Sequence, residues 1–465
     1  MKEQELICSL CKILQKLIDE KDKRNTVKDN NCVEGERLTM AVSIDFEKHP
    51  MKNVKKDIKE KYFNIVKFLV LSQSSEDYVC YILRRYGEFF LNDKNIQIDK
   101  EHIYEDIKSI VGCQTQPWRK KYKYGILLDI AIILQDEKKV YNAFNQLEEV
   151  LSKKQKSKFR NFYKNLINMV DDGIDCKWSY PLIHQCWENI RFRDKKEIKI
   201  IVSATMSAGK STLINALIGK KLMKSSQEVC TGNVCYVMSK PFEDGHISMI
   251  DNGLWCEAGQ QELEDISWKT ENAIQSCFRS ICTNAIKSCY IDTPGVNSSI
   301  NKNHEKITKE KLLNNNYDKL IYVMNANKIG TDEEMAYLQW ISMNVPKNKI
   351  VFVLNKIDDF KIKEDDIEKS ILGIKQDLLK LGFDEPLICP ISAYFSLLIK
   401  MKLYNESLSE DEQDEYGLYM KKFNRPAYDL SKYYGLSVEP DETEMVALSK
   451  KCGLYGLEKI IGGTE

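Results

Sequence analysis

The chain of 465 residues carries 69 Lys and Arg residues and 69 Asp and Glu residues, so its formal charge is zero. This balance gives no electrostatic reason to expect a nucleic-acid partner, and we predict none. Hydrophobic residues make up 43% of the chain, which favours packed domains and excludes an intrinsically disordered protein. The length exceeds one ordinary core, so two or three domains are expected.

The 15 cysteines are scattered, and only Cys8 and Cys11 have the CxxC spacing. A structural zinc site needs a second pair of ligands, so we predict reduced thiols and a cytoplasmic protein. The first residues are charged and amphipathic, and we expect no signal peptide. The longest apolar runs fall short of the ~20 residues that span a bilayer. Any membrane contact is therefore expected to be peripheral, at the inner face of the membrane.

Up to about Val170 the apolar residues recur at helical spacing. One predicted helix face consists of Phe159, Phe162, Tyr163, Leu166, Ile167 and Val170. We therefore predict an all-α N-terminal domain over residues 1–185. Two stretches of similar layout, Tyr86–Val111 and Leu128–Leu151, faintly resemble TerB-like helical domains, although a generic helical bundle is the favoured interpretation.

After Lys196 apolar runs alternate with helical patterns. Six runs are interpreted as buried parallel strands: Ile198–Val202, Ile247–Ile250, Ser288–Ile291, Leu320–Met324, Lys349–Leu354 and Leu387–Pro390. Such alternation is typical of a doubly wound, mostly parallel α/β sheet. We assign this domain to residues 186–465 and expect its ligand at the carboxyl ends of the strands.

A phosphate-binding loop is predicted where the first strand meets the following helical pattern. Its backbone would surround the phosphates at Met206, Ser207, Ala208, Gly209, Lys210, Ser211 and Thr212. Lys210 would reach the outer phosphates, and the Ser211 hydroxyl would bind Mg²⁺. Ala204 replaces the usual first glycine. Because alanine disfavours positive φ, we expect an altered entry to the loop.

Two further segments have the chemistry of nucleotide switches. Thr231 lies in a polar segment after the predicted P-loop helix, where it would complete the Mg²⁺ shell and hold the γ-phosphate. The run Asp292-Thr293-Pro294-Gly295 directly follows a predicted strand. The Asp292 carboxylate would hold Mg²⁺ through water, and the Gly295 N–H would meet the γ-phosphate.

The base is selected by the Asn-Lys-Ile-Asp run at residues 355–358, at the end of another predicted strand. Guanine presents N1–H and an amine side by side, and a carboxylate accepts both, whereas adenine would leave Asp358 unpaired. We therefore predict a site for GTP and GDP. Asn355 would bond the base and tie loops together, and the Lys356 stem would pack along the nucleotide. Ser392-Ala393 would offer a backbone N–H to the guanine oxygen.

Together these residues resemble one group closely, the bacterial dynamin-like GTPases. The resemblance rests on Thr205–Leu217, Glu228–Thr231, Asp292–Ser298 with His304, Tyr322–Asp332 and Gly453–Ile460. It implies a P-loop GTPase domain that hydrolyses GTP to GDP and phosphate and self-associates, often at a membrane. Family members usually continue into a helical stalk. This chain ends at Glu465, so we expect the N-terminal helices to replace the stalk, or the assembly and lipid-binding machinery to be missing.

The group that positions the attacking water is not evident from the motifs. Val296 follows the switch glycine and cannot orient water, and the Met206 side chain offers no donor. The resemblance implies that Lys210 and Thr231, with dimerisation across the nucleotide, complete the catalytic site. Ser207 would hold a monovalent cation, K⁺ or Na⁺. We interpret His304 as a solvated residue of a mobile loop rather than a catalytic base.

Two other function classes stay open. One is a GTP-dependent switch whose helical N-terminal domain binds a protein partner, with hydrolysis as a timer. The other is a nucleotide-binding scaffold without turnover, which Ala204, Met206 and Val296 would allow. For the GTPase itself we expect slow basal turnover that self-association accelerates.

Overall fold

The computed structural model describes residues 41–99, 101–112, 121–170, 177–224, 234–251, 253–259, 262–263, 272–282, 286–296, 302–361 and 364–463. The chain forms two compact units: residues 1–194 with 243–245, and residues 195–242 with 246–465. The boundary expected between residues 185 and 186 lies inside a helix that continues to Asp194. Each unit is described by itself.

The first unit is helical, as predicted. Its helices are α1 (Lys56–Gln73), α2 (Asp77–Leu91), α3 (Ile103–Ile107), α4 (Tyr122–Leu134), α5 (Glu137–Glu149), α6 (Lys153–Ile167) and α7 (Tyr180–Asp194). Helix α4 is buried on nearly every side, which explains its almost wholly apolar sequence. In α6 the predicted face is buried up to Leu166, whereas Val170 lies beyond the helix and is exposed. The TerB-like interpretation stays a prediction.

The second unit contains a nine-stranded sheet of order β4-β3-β5-β2-β6-β1-β7-β8-β9. The strands are β1 (Ile198–Ala204), β2 (Cys235–Ser239), β3 (Ser248–Asp251), β4 (Leu254–Glu257), β5 (Asn272–Ser276), β6 (Ser288–Asp292), β7 (Lys319–Asn325), β8 (Ile350–Asn355) and β9 (Ile388–Pro390). The run from β6 to β9 is entirely parallel, which confirms the doubly wound α/β fold.

One predicted strand has a different direction. The run Ile247–Ile250 corresponds to β3, which is antiparallel to both of its neighbours, β4 and β5, so the parallel assignment was wrong. Strand β2 is likewise antiparallel to β6. The short connection between β3 and β4 explains the reversal, because adjacent strands joined by a tight turn at Gly253 form an antiparallel hairpin.

The helices of this unit are α8 (Lys210–Ile218), α9 (Lys302–Leu313), α10 (Asp332–Asn344), α11 (Ile367–Lys380), α12 (Ala393–Leu403), α13 (Glu410–Phe423), α14 (Glu444–Lys451) and α15 (Leu454–Gly462). The parallel strands β1, β7 and β8 end at one edge of the sheet, and Asn325 and Asn355 are register partners there. Ligand sites in open parallel sheets form at this edge.

Candidate nucleotide site

The loop between β1 and α8 has the backbone of a phosphate cradle. Ala204 is the buried last residue of β1, and its φ is not positive. Positive φ occurs at Ser207 (62°) and Gly209 (87°) instead. The disturbance expected at Ala204 is therefore not found, because the strand conformation there is one that alanine adopts without strain.

Two asparagine amides hold this loop. Asn355 Nδ2 donates to the Ala208 carbonyl at 3.0 Å, and Asn325 Nδ2 donates to the Ser207 carbonyl at 3.3 Å. A Cβ atom at Gly209 would lie 2.5 Å from Asn355 Nδ2, so the close approach and the positive φ both require glycine. The motif analysis assigned no role to Asn325. Its position in the sequence could have identified it, because Asn325 is the last residue of β7 and Asn355 is the last residue of the neighbouring parallel strand β8.

Asn355 also reaches the loop after β9. Its Oδ1 accepts a hydrogen bond from the Ala393 N–H at 3.0 Å. The donor predicted for the guanine oxygen is therefore already engaged in the protein. Ser392 caps helix α12, with its hydroxyl accepting from Phe395 N–H. The structure thus brings the pair Ser392-Ala393 to the site, where it supports Asn355.

The segment after β6 is fastened to the strand that precedes the P-loop. Thr293 Oγ1 donates to the Val202 carbonyl at 2.9 Å, and Val296 N–H donates to the Ala204 carbonyl at 3.2 Å. These bonds place Gly295 against the P-loop. A Cβ atom at Gly295 would lie 3.8 Å from the ammonium nitrogen of Lys210, so the predicted switch glycine and the P-loop lysine are neighbours.

The Asp292 carboxylate lies at this phosphate end of the site. It is fully buried, and neither of its oxygens has a hydrogen-bond partner among the described residues. Burial raises the pKa of Asp292 to about 6, and the positive charge of Lys210 opposes that rise. A buried carboxylate without partners is costly unless a cation accompanies it. Its oxygens, with the Ser211 hydroxyl in the first turn of α8, therefore fit the water-mediated Mg²⁺ site predicted from the sequence.

His304 is not the solvated loop residue that we expected. It lies in helix α9 and is only 4% exposed, so that interpretation was wrong. The charged residues around it in the sequence indicate a solvent-exposed segment, whereas His304 and Thr308, four residues apart, are buried on one face of the helix. Burial lowers the pKa of His304, and the nearby charge of Lys210 lowers it further.

The base-reading side is organised around Asp358. Its Oδ1 is buried and has no hydrogen-bond partner within the described residues. Burial raises the pKa of this carboxyl, and a hydrogen bond from the Ser392 hydroxyl opposes the rise. The main chain on either side is held from α13, since Lys422 Nζ donates to the carbonyls of Asp358 and Phe360, both at 2.5 Å. Tyr428 OH donates to the Phe360 carbonyl as well, at 2.7 Å.

A cavity of about 690 Å³ connects the P-loop to the base-reading loop. Its lining includes Gly209, Thr212, Lys221, Asn355, Lys356, Asp358, Tyr394, Glu412, Glu415 and Tyr419. Several polar residues of this lining are paired with one another. Lys221 bonds Glu412 at 2.5 Å, and Tyr394 OH donates to Glu415 at 2.5 Å.

The motif analysis missed the wall formed by α13. By composition the acidic stretch Asn405–Glu415 indicates a solvated loop or helix, and the Ser409–Glu412 capping box marks the helix start. What brings α13 to the cavity is packing at its far end, where the Phe423 ring stacks on Phe395 of α12. No short motif encodes that contact. Thr231, Asn297 and Ser298 lie outside the described residues.

Residues 200–357, which contain the P-loop, the segment after β6 and the start of the base-reading loop, match the model of the dynamin family. This part of the chain is similar to the dynamin family. The match ends before α13, so the wall of the cavity formed by α13 lies outside the matched residues.

Curated relatives agree with this assignment. The chain is 26% identical over 207 residues to a probable transmembrane GTPase, FZO-like, of Arabidopsis thaliana, covering 43% of this chain and 20% of that protein. It is 24% identical over 334 residues to dynamin-like protein 1 of Campylobacter jejuni, covering 59% and 44%. It is 21% identical over 273 residues to dynamin-like protein A of Bacillus subtilis, covering 56% and 22%. The chain therefore spans less than half the length of these relatives.

The burial of Asp292 makes a prediction about stability. Because its pKa rises from 3.8 to about 6 on folding, ionisation opposes folding, and the nucleotide-free protein loses stability as pH rises through this window. Asp292→Asn removes the ionisation. We expect the free energy of unfolding of the variant, minus that of wild type, to be about 1 kcal/mol larger at pH 7.5 than at pH 5. Urea unfolding at the two pH values measures both free energies.

The exposed Asp377, which bridges to Lys380 on α11, supplies the control. Asp377→Asn should show no such difference between the two pH values. An Asp292→Asn protein that is less stable than wild type at pH 7.5 would contradict the interpretation of Asp292 as an uncompensated buried charge.

Proposed function

We propose that the chain binds GTP and hydrolyses it to GDP and phosphate. The observation that carries the proposal is the position of Asp358, which shares one cavity with the P-loop residue Gly209. Phosphate-binding loops serve many nucleotides, so the base-reading carboxylate decides the class. The match of residues 200–357 to the dynamin family supports the same activity.

The free oxygen of Asp358 explains the choice of guanine. A buried acceptor without a partner favours a ligand that brings donors, and guanine brings two at adjacent positions. Adenine would bring an acceptor to the same place. Lys356 has φ of 68° and also lines the cavity, so its stem is available to pack along the base.

At the phosphate end we assign the outer phosphates to Lys210 and to the loop N–H groups from Met206 to Thr212. Ser211, Asp292 and Thr231 would hold Mg²⁺, which neutralises charge on the phosphates. Gly295 is a neighbour of Lys210, and its N–H would meet the same phosphate. Ser207 would contact a monovalent cation, K⁺ or Na⁺. Hydrolysis is in-line attack by water, so these groups act by positioning and by charge.

Self-association through the G domain and peripheral contact with a membrane are further parts of the proposal, supported by the family assignment. Among the helices that the structure describes, none has the length and apolar character of a membrane span. The alternative is a GTP-dependent switch or scaffold, in which the helical unit binds a protein partner and the protein hydrolyses little GTP by itself.

GTP turnover should depend on protein concentration. We expect slow GTP hydrolysis per molecule that rises with protein concentration, because self-association would complete the site. Lys210→Ala should lower the single-turnover rate constant at least about 100-fold, because one preorganised charge at the transferring phosphate is removed. The measurement is phosphate release across a range of protein concentrations, with and without liposomes.

Lys306→Ala is the matched control, since Lys306 is an exposed lysine of the same unit. It should turn over as wild type does. A rate per molecule that is fast and independent of concentration would reject the self-association part, and a wild-type protein that binds GTP without turnover would favour the scaffold.

Helix α13 should influence base selectivity. Lys422→Met removes the ammonium that holds the carbonyls of Asp358 and Phe360, so the carboxylate of Asp358 should meet guanine less well. Losing a charge-assisted hydrogen bond of about 1.5 kcal/mol should lower the affinity ratio of GTP over ITP about tenfold. ITP lacks the 2-amino group, so this ratio reports the position of Asp358 rather than general stability.

Lys422→Arg should restore most of the ratio, and the neighbouring exposed Lys421→Met should leave it unchanged. Binding is measured by competition against a fluorescent guanine nucleotide. Equal losses for GTP and ITP in Lys422→Met would show that Lys422 supports the fold without positioning Asp358.

A further inference from the structure

The imidazole of His304 is a buried polar group without an assigned partner. It is 4% exposed, and its Nδ1 has no hydrogen-bond partner among the described residues. Buried polar side-chain atoms in folded proteins are nearly always paired, and the exceptions need a physical reason. A histidine retained only for packing would be expected to bond a carbonyl or carboxylate.

Helix α9 directs this imidazole toward the phosphate end of the site. Thr308 lies one helical turn after His304, and its Oγ1 donates to the Pro294 carbonyl at 3.0 Å. Residues four positions apart share a helix face, so His304 lies on the side of α9 that contacts the segment ending at Gly295. Lys210 is close enough for its charge to act on the imidazole. With burial, that charge keeps His304 neutral at pH 7.

GTP hydrolysis needs a group at the phosphate end of the site that positions the attacking water. Water attacking the γ-phosphorus must be held in line with the bond that breaks. The Val296 side chain has no hydrogen-bonding atom, and the thioether sulfur of Met206 in the P-loop is only a weak acceptor. A neutral imidazole accepts a hydrogen bond through its unprotonated nitrogen. An acceptor without a partner, beside the P-loop lysine, supplies what those two side chains cannot.

We propose that His304 is a catalytic residue whose Nδ1 accepts a hydrogen bond from the attacking water, an inference that rests on the proposed GTP hydrolysis. The water oxygen forms its bond to the γ-phosphorus as the bond to the β–γ bridging oxygen breaks, and GDP leaves with that oxygen. One water proton stays on the phosphate and the other passes to solvent. His304 orients the water and keeps no proton.

The test compares variants of the full chain in single-turnover GTP hydrolysis. His304→Phe fills the space without a hydrogen-bonding atom and should slow the rate constant about 100-fold, with GDP affinity changed less than about threefold. His304→Asn places a polar atom near the position of Nδ1, and its rate constant should be at least about tenfold higher than that of His304→Phe. His304→Gln places its amide near the position of Nε2 and should stay as slow as His304→Phe.

His246→Phe, at a partly exposed histidine of the same unit, is the matched control and should keep the wild-type rate. Wild-type turnover in a folded His304→Phe protein would overturn the assignment of His304 alone. If His304→Phe does not fold, equal rates for the Asn and Gln variants would overturn it. A wild-type protein that hydrolyses no GTP would instead reject the proposed function.

Discussion

The amide of Asn355 is the interaction on which the site depends. From the end of β8 it donates to the Ala208 carbonyl and accepts from the Ala393 N–H, so one side chain joins the phosphate loop to the loop after β9. Asp358 follows three residues later on the same chain segment. The distance between the phosphate-binding and base-reading groups is therefore fixed by a short, buried connection. Gly209 is part of this connection, since any side chain there would collide with Asn355.

Two buried carboxylates lie at this site, and within the described part of the chain both oxygens of Asp292 and the Oδ1 of Asp358 have no hydrogen-bond partner. Asp292 lies at the phosphate end and Asp358 at the base end, and burial raises the pKa of both. Each arrangement destabilises the empty protein and is relieved by a ligand of matching chemistry, a cation for Asp292 and paired donors for Asp358. Ligand binding and stability are thus linked, because nucleotide and metal satisfy groups that the protein leaves unsatisfied.

The sequence predicts most of the fold and much of the site, because strands and P-loop motifs are local patterns. The apolar runs predicted the five parallel strands, β1 and β6 to β9. The motifs predicted the candidate site residues Lys210, Asp292, Asn355 and Asp358. The direction of β3, the burial of His304 and the wall formed by α13 were missed. The burial of His304 and the position of α13 depend on contacts between residues far apart in the sequence, Thr308 with Pro294 and Phe395 with Phe423, for which short-range periodicity has no signal. The direction of β3 follows from its short connection to β4, a strand that the apolar runs did not predict.

The most direct test of the account exchanges the group that reads the base. Xanthine carries a carbonyl where guanine carries its 2-amino group, so Asp358→Asn, whose amide can donate, should bind XTP in preference to GTP. The wild-type protein should prefer GTP over XTP and over ATP by at least about 100-fold. Competition binding of the three nucleotides to both proteins makes the measurement. An Asp358→Asn protein that keeps the wild-type order of affinities would contradict the assignment of Asp358 as the guanine-selecting residue.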